Sequence, residues 1–177
     1  MPLSLYHKVY QHYFNSQAFL SDFERSILIL GQVKRIFFIG NGGSNSICSH
    51  MYEDYAKIGG YQTFAFSDAA LITCFANDYG YDQAMKEWLK IYIEPGDLLI
   101  AISSSGNSPN IINAASLAKE KGAKLITLSG FSGDNKLRKT GDVNFYIDSN
   151  SYGVVECFHQ VILHGLLDHK ISLNIKE

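Results

Sequence analysis

The chain has 177 residues, 46% of them hydrophobic, and a formal net charge of −2. That is enough apolar material for one well-buried core, and the composition does not break anywhere to mark a second domain. The near-neutral charge, with no block of Lys or Arg, argues against nucleic acid as the main partner, and no run approaches the roughly 20 apolar residues of a membrane span.

At the amino terminus, "MPLSLYHKVYQHYFNSQ" lacks a basic segment followed by an apolar one, so no signal peptide is expected and the protein reads as cytoplasmic. Leu5, Val9, Tyr13, Leu20, Phe23, Ile27 and Leu30 recur largely at helical spacing, which predicts one or two amphipathic helices over Leu3 to Leu30. Such helices need a surface to cover, in their own subunit or in a neighbour. Strands are predicted over Arg35 to Ile39, Tyr61 to Phe66, Leu98 to Ile102, Lys124 to Leu128 and Val143 to Ile147. They alternate with helical or turn-rich stretches, which implies a mainly parallel sheet with helices on both faces. The order of the strands is not legible. Cys48, Cys74 and Cys157 are few and scattered, so they read as reduced thiols and as small core residues.

Two of the strand ends carry chemistry. In "IFFIGNGGSNSICSH", Ile36 to His50, an apolar run ends in Gly40, Asn41, Gly42, Gly43 and Ser44 and a helix follows, a unit that commonly makes an anion site. In the stretch Leu98 to Gly122, a strand delivers Ser103, Ser104, Ser105, Gly106, Asn107 and Ser108 to the edge of the sheet, and a helix starts near Pro109 and Asn110. Hydroxyls and free backbone N–H groups at a helix start suit phosphate, and the carboxyl edge of an open sheet is where ligands bind. One such loop is ordinary turn chemistry. Two of them, each after a buried strand, point to a small anionic ligand.

"GNGGS" at Gly40 to Ser44, "NDYG" at Asn77 to Gly80, "SSSGNS" at Ser103 to Ser108 and "LITLSG" at Leu125 to Gly130 together resemble the sugar isomerase (SIS) domain family, in its phosphoheptose isomerase branch. The resemblance runs from the first strand to His164. It implies a single SIS domain over residues 1–177, with an amino-terminal helical segment, 1–30, before the core and terminal helix, 31–177. The implied fold is α/β, a three-layer αβα sandwich on a five-stranded parallel sheet. The implied assembly is a homotetramer with sites between subunits. The implied reaction converts sedoheptulose 7-phosphate to a heptose 7-phosphate, a step toward heptose for lipopolysaccharide or capsule. Carried over by motif, Ser103, Ser104, Ser105 and Ser108 would hold the phosphate, Asn41, Gly42, Gly43 and Ser44 would contact the sugar, and Asn77 with Asp78 would touch the substrate. A second phosphosugar of the same reaction class is the near alternative. Relatives that bind sugar phosphates without turnover, including a replication-initiator-binding regulator, supply a competing class.

Moving a carbonyl between C1 and C2 needs a group that takes and returns a proton, and a second group or a metal to manage the oxygens. His50 and Asp54 are four residues apart on the helix after Gly43 and point the same way. Glu156, Gln160 and His164 advance by four along the last helix. Singly, such residues read as surface pairs of little energetic value. The resemblance assigns zinc, one per active site, to His50, Asp54, Glu156 and His164, with Asp54, Glu156 and His164 catalytic. The family usually carries Glu where Asp54 stands and Gln where Glu156 stands. Asp54 therefore falls more than an ångström short of a glutamate's reach, which can matter for catalytic geometry. Two carboxylates and two neutral imidazoles remain acceptable zinc ligands. His159 is a further candidate that points away from His164; Glu53 faces elsewhere, and Tyr152 and Gly153 are expected to shape the start of the last helix. The two halves of the set are expected to meet across a subunit boundary.

Overall fold

The amino-terminal segment breaks in two at Asn15 and Ser16 in the computed structural model, which describes residues 2–174. Helix α1 (Pro2–Phe14) ends there, and α2 (Gln17–Leu30) restarts on a Ser16 cap whose hydroxyl accepts from the Phe19 N–H at 3.4 Å. Both helices cover their own chain. Phe158 of the last helix, α7 (Tyr152–Asn174), lies 4.5 Å from the Tyr10 ring, 5.6 Å from Tyr13 and 5.7 Å from Phe19, centroid to centroid. Tyr13 also accepts a hydrogen bond from the backbone N–H of Asp148 at 2.7 Å.

Five strands follow: β1 (Arg35–Gly40), β2 (Gln62–Ala65), β3 (Leu98–Ser103), β4 (Lys124–Gly130) and β5 (Val143–Ile147). Each lies where the apolar runs predicted it, with β2 one residue shorter at either end, β1 and β3 one residue longer and β4 two residues longer at the carboxyl end. Between them lie α3 (Gly43–Lys57), α4 (Ala69–Tyr79), α5 (Tyr81–Tyr92) and α6 (Pro109–Glu120). Asp68 caps α4 by accepting from the Leu71 N–H at 3.0 Å, and Pro109 opens α6, where its missing N–H costs nothing. Every pairing is parallel, and the order is β2-β1-β3-β4-β5.

Alternate residues of the buried central strands face two separate cores. Ile36, Phe38, Leu98, Ile100 and Ile102 pack with Met51 and Tyr55 of α3 and with Phe158, Ile162 and Leu166 of α7. Phe37, Ile39, Leu99 and Ala101 pack on the opposite side with Met85, Trp88 and Leu89 of α5 and with Ile111, Ala114 and Ala118 of α6. Strands buried on both faces read as continuous apolar runs, as these do. The cysteine expectation needs correction. Cys48 is a core residue on α3, but Cys74 and Cys157 are exposed, because they fall on the outer faces of α4 and α7; all three are free thiols. Among the described residues no helix is long and apolar enough to cross a membrane.

Candidate active site

The strand order places the site. The chain winds outward from β1 to β2 on one side and from β1 through β3 to β5 on the other, so the loops leaving β1 and β3 part from each other at their carboxyl ends. Ligands of open α/β sheets bind at this point of divergence. A cavity of about 250 Å³ sits there, walled by Asn41, Gly42, Gly43 and Ser44 after β1, by Ser103, Ser104, Ser105 and Ser108 after β3, and by Tyr152 and Glu156 at the start of α7.

Gly42 stands at φ 54°, ψ −122°, a conformation that only glycine adopts without strain, and α3 begins directly after it. Gly43 is needed for a different reason: a Cβ there would collide with the Glu156 carboxylate. The missing side chain lets that carboxylate lie against the backbone of the first loop. In the serine loop, Ser103 Oγ accepts from the Gly106 N–H at 3.2 Å and lies 3.3 Å from Ser108 Oγ, while Ser105 Oγ accepts from the Asn107 N–H at 3.3 Å. Ser104 is 5% exposed, and its hydroxyl has no hydrogen-bond partner among the described residues. A buried hydroxyl left in that state calls for a partner from outside the chain.

Beside the cavity, Asp54 Oδ2 lies 3.3 Å from His50 Nε2 and 3.8 Å from His164 Nδ1, and the two imidazole rings are 5.2 Å apart. One ligand atom from each of the three residues falls within 4.8 Å of the other two. Neighbouring ligands of a tetrahedral zinc ion, each at about 2.0 to 2.2 Å, stand about 3.3 to 3.6 Å apart, so with a small side-chain adjustment this donor set fits such an ion. The shorter Asp54 still reaches both histidines. Glu156 lies outside this three-residue cluster but lines a shallow groove with His50, Gly43, Ser46, Ile47, Cys157 and Gln160, and so joins the groove to the cavity.

Three expectations change. The His50–Asp54 pair on α3 and His164 on α7 meet within one chain, not across a subunit boundary, because α7 packs directly on α3: the Tyr55 hydroxyl donates to the Leu163 carbonyl at 2.8 Å. His159 faces the core, fully buried, with Nε2 3.2 Å from the Ser129 carbonyl oxygen; burial pushes its pKa down to about 4. Asn77 and Asp78 lie at the end of α4, exposed and hydrogen-bonded to each other at 2.9 Å, and do not line the cavity of this chain. Glu53 is exposed.

Tyr152 begins α7 as expected but is also a cavity wall, held edge-on against Phe131 at 4.8 Å. Asn110 and Tyr81, both hydrogen-bonded to Asn41, were not singled out from sequence, because asparagine in a first helical turn and tyrosine after glycine carry no distinctive signal.

The SIS domain family matches residues 29–130, more than half of the chain. The protein belongs to that family. Over 140 residues it is 35% identical to the phosphoheptose isomerase of Fusobacterium nucleatum subsp. nucleatum, covering 76% of this chain and 72% of the relative. The solved phosphoheptose isomerase of Neisseria gonorrhoeae superposes with a TM-score of 0.84 at 24% identity, covering 95% of this chain and 94% of that one. The Francisella tularensis phosphoheptose isomerase gives 0.84 at 24% identity over 97% and 94%. These two superpositions share the three-layer SIS architecture predicted for this chain.

Proposed function

We propose that the protein is a phosphosugar ketose-aldose isomerase whose substrate is sedoheptulose 7-phosphate and whose product is the corresponding heptose 7-phosphate. The observation that carries the reading is Glu156: one carboxylate lies against Gly43, in the wall of the same cavity that holds the unpartnered Ser104 hydroxyl. An anion holder and a proton acceptor thus share one cavity. The family relatives named above, with their isomerase activity, support the same conclusion.

In this reading the serine loop and the start of α6 bind the phosphate through hydroxyl and N–H donors. Binding at that end fixes the sugar so that C1 and C2 lie toward Glu156 and the histidines. Glu156 takes the proton from C1 and returns it to C2, while the O1 hydroxyl proton passes to O2, so the carbonyl moves from C2 to C1 with no net change in atoms or charge. His50, Asp54 and His164 would hold a divalent ion, zinc by the chemistry of the donors, while Glu156 lines the adjoining groove and stays outside that set. Such an ion, when bound, supplies positive charge that stabilises the developing oxyanion. Tyr152 lines the cavity beside Glu156.

The protein is read as cytoplasmic and homotetrameric. Exposed Leu3, Leu28, Ile58 and Ile91 supply apolar surface for subunit contacts, and a neighbouring subunit is the route by which Asn77 and Asp78 would reach a substrate. The test is incubation with sedoheptulose 7-phosphate in heavy water, with and without chelator, following the aldose and deuterium at C1 and C2. Product with exchanged deuterium is expected. Saturable binding with neither would make the protein a sugar-phosphate-binding regulator instead.

A further inference from the structure

Asn41 enters the cavity from β1, yet most of its hydrogen-bonding capacity is already used. Its Nδ2 donates to Asn110 Oδ1 at 3.0 Å, and its Oδ1 accepts from Asn110 Nδ2 at 2.9 Å and from the Tyr81 hydroxyl at 2.8 Å. The two carboxamides form a closed, reciprocal pair that ties the loop after β1 to the first turn of α6. Asn110 is 2% exposed, so its amide has little access to water as an alternative partner.

The orientation of the pair follows from one backbone group. The Ile111 N–H can only donate, and it lies 3.0 Å from Asn110 Oδ1, so that atom is the oxygen. Asn110 Nδ2 therefore faces Asn41 Oδ1, and Asn41 Nδ2 faces Asn110 Oδ1. With Asn110 Nδ2 and Tyr81 both donating, the two lone pairs of Asn41 Oδ1 are occupied, and what Asn41 can offer a ligand is one N–H. An asparagine free to turn would present oxygen or nitrogen equally well.

We propose that Asn110 and Tyr81 are positioning residues that lock the Asn41 carboxamide as a hydrogen-bond donor toward an oxygen of the bound sugar phosphate. Its kinetic readout rests on the isomerase reading, whereas its binding readout does not. Tyr81 is the first residue of α5, directly after the exposed Asn77–Gly80 segment, so the same contact couples that segment to the cavity.

The test compares the wild-type protein with Tyr81→Phe, Asn110→Ala and Asn110→Asp from pH 5.5 to pH 8, reading kcat/KM for sedoheptulose 7-phosphate and the calorimetric Kd of the same compound. Loss of one neutral hydrogen bond should lower kcat/KM about threefold to tenfold in Tyr81→Phe. Asn110→Ala should lose more than tenfold at every pH. Asn110→Asp is the decisive variant. As a carboxylate it sets oxygen against Asn41 Oδ1 and should be as poor as the alanine variant at pH 8; as a carboxylic acid it again offers one donor and one acceptor. Its ratio to wild type should therefore climb as pH falls, while the alanine ratio stays flat. Every other pH effect is shared with wild type and cancels in the ratio. Activity and affinity of all three variants within twofold of wild type, or an aspartate ratio indifferent to pH, would overturn the proposal. Exposed Tyr81→Phe decides the matter if the Asn110 variants fail to fold. A wild type that binds the compound without turning it over removes the isomerase reading, and the Kd ratios then decide this one.

Discussion

Ser104 has a buried hydroxyl with no partner among the described residues, whereas Ser103 and Ser105 brace their own loop. The three neighbours are therefore not equivalent. Ser104→Ala should remove a donor to the phosphate while costing the free protein little stability. A hydrogen bond to a charged group is worth about 1.5 to 3 kcal/mol, so affinity for sedoheptulose 7-phosphate and for inorganic phosphate should fall at least tenfold by calorimetry. Unchanged affinity for both would move the phosphate site away from this loop. Gly43→Ala separates site from fold in another way. The atom its Cβ would strike is the far end of the Glu156 side chain, which can swing aside, so the melting temperature should move by only a few degrees. Activity should nonetheless drop by more than tenfold, because the carboxylate leaves the cavity wall. A variant as active as wild type would mean that Glu156 does not act from that position.

At the scale of the element, α7 does two jobs on different faces. One face brings Glu156 and His164 to the loops and to α3; another buries Phe158, Ile162 and Leu166 in the core. His159 lies on the buried side, and desolvation disfavours its charged form. With a folded pKa of about 4 against an ordinary 6.5, the unfolded chain binds the extra proton between these values. Stability is therefore full above about pH 6.5 and is lost as pH falls toward 4, by up to roughly 1 kcal/mol per pH unit. Denaturant titrations of His159→Gln should show a shallower loss of stability over that window than wild type. Equal slopes would assign the acid sensitivity to other groups. Across the α3–α7 contact, His50→Ala or His164→Ala should each abolish stoichiometric zinc binding after reconstitution, measured by atomic absorption, since each removes one of three clustered donors.

At the scale of the whole molecule, the meeting of α3 and α7 within one chain sets a rule for mixed assemblies. Asp54→Asn and His164→Ala each break the cluster in the chain that carries them, and loss of a positioned acid or base commonly costs about 10² to 10⁴-fold in rate. Co-expressing the two should yield oligomers in which every chain carries one defect, so activity should not return. Recovery toward a quarter or more of the wild-type rate in verified mixed oligomers would show that the two residues act from different chains.

The five strands and the helices between them were legible in the residues alone, because runs such as Ile36–Ile39 and Leu98–Ile102 are apolar at every position, as strands buried on both faces must be. The two polar loops were legible as well, because a pair of them, each after a buried strand, points to a ligand where a single one would be ordinary turn chemistry, and a spacing of four put His50 and Asp54 onto one helical face. The remaining features depend on contacts distant in sequence. The order β2-β1-β3-β4-β5 put the two loops side by side, and no local pattern encodes which strand lies beside which. Packing of α7 on α3 carried His164 to a pair more than a hundred residues earlier, drew Glu156 against Gly43, and turned His159 inward although helical spacing alone left it a candidate. The Asn41–Asn110–Tyr81 network was invisible for the same reason: each residue is ordinary in its own turn, and its role exists only once β1, α5 and α6 converge.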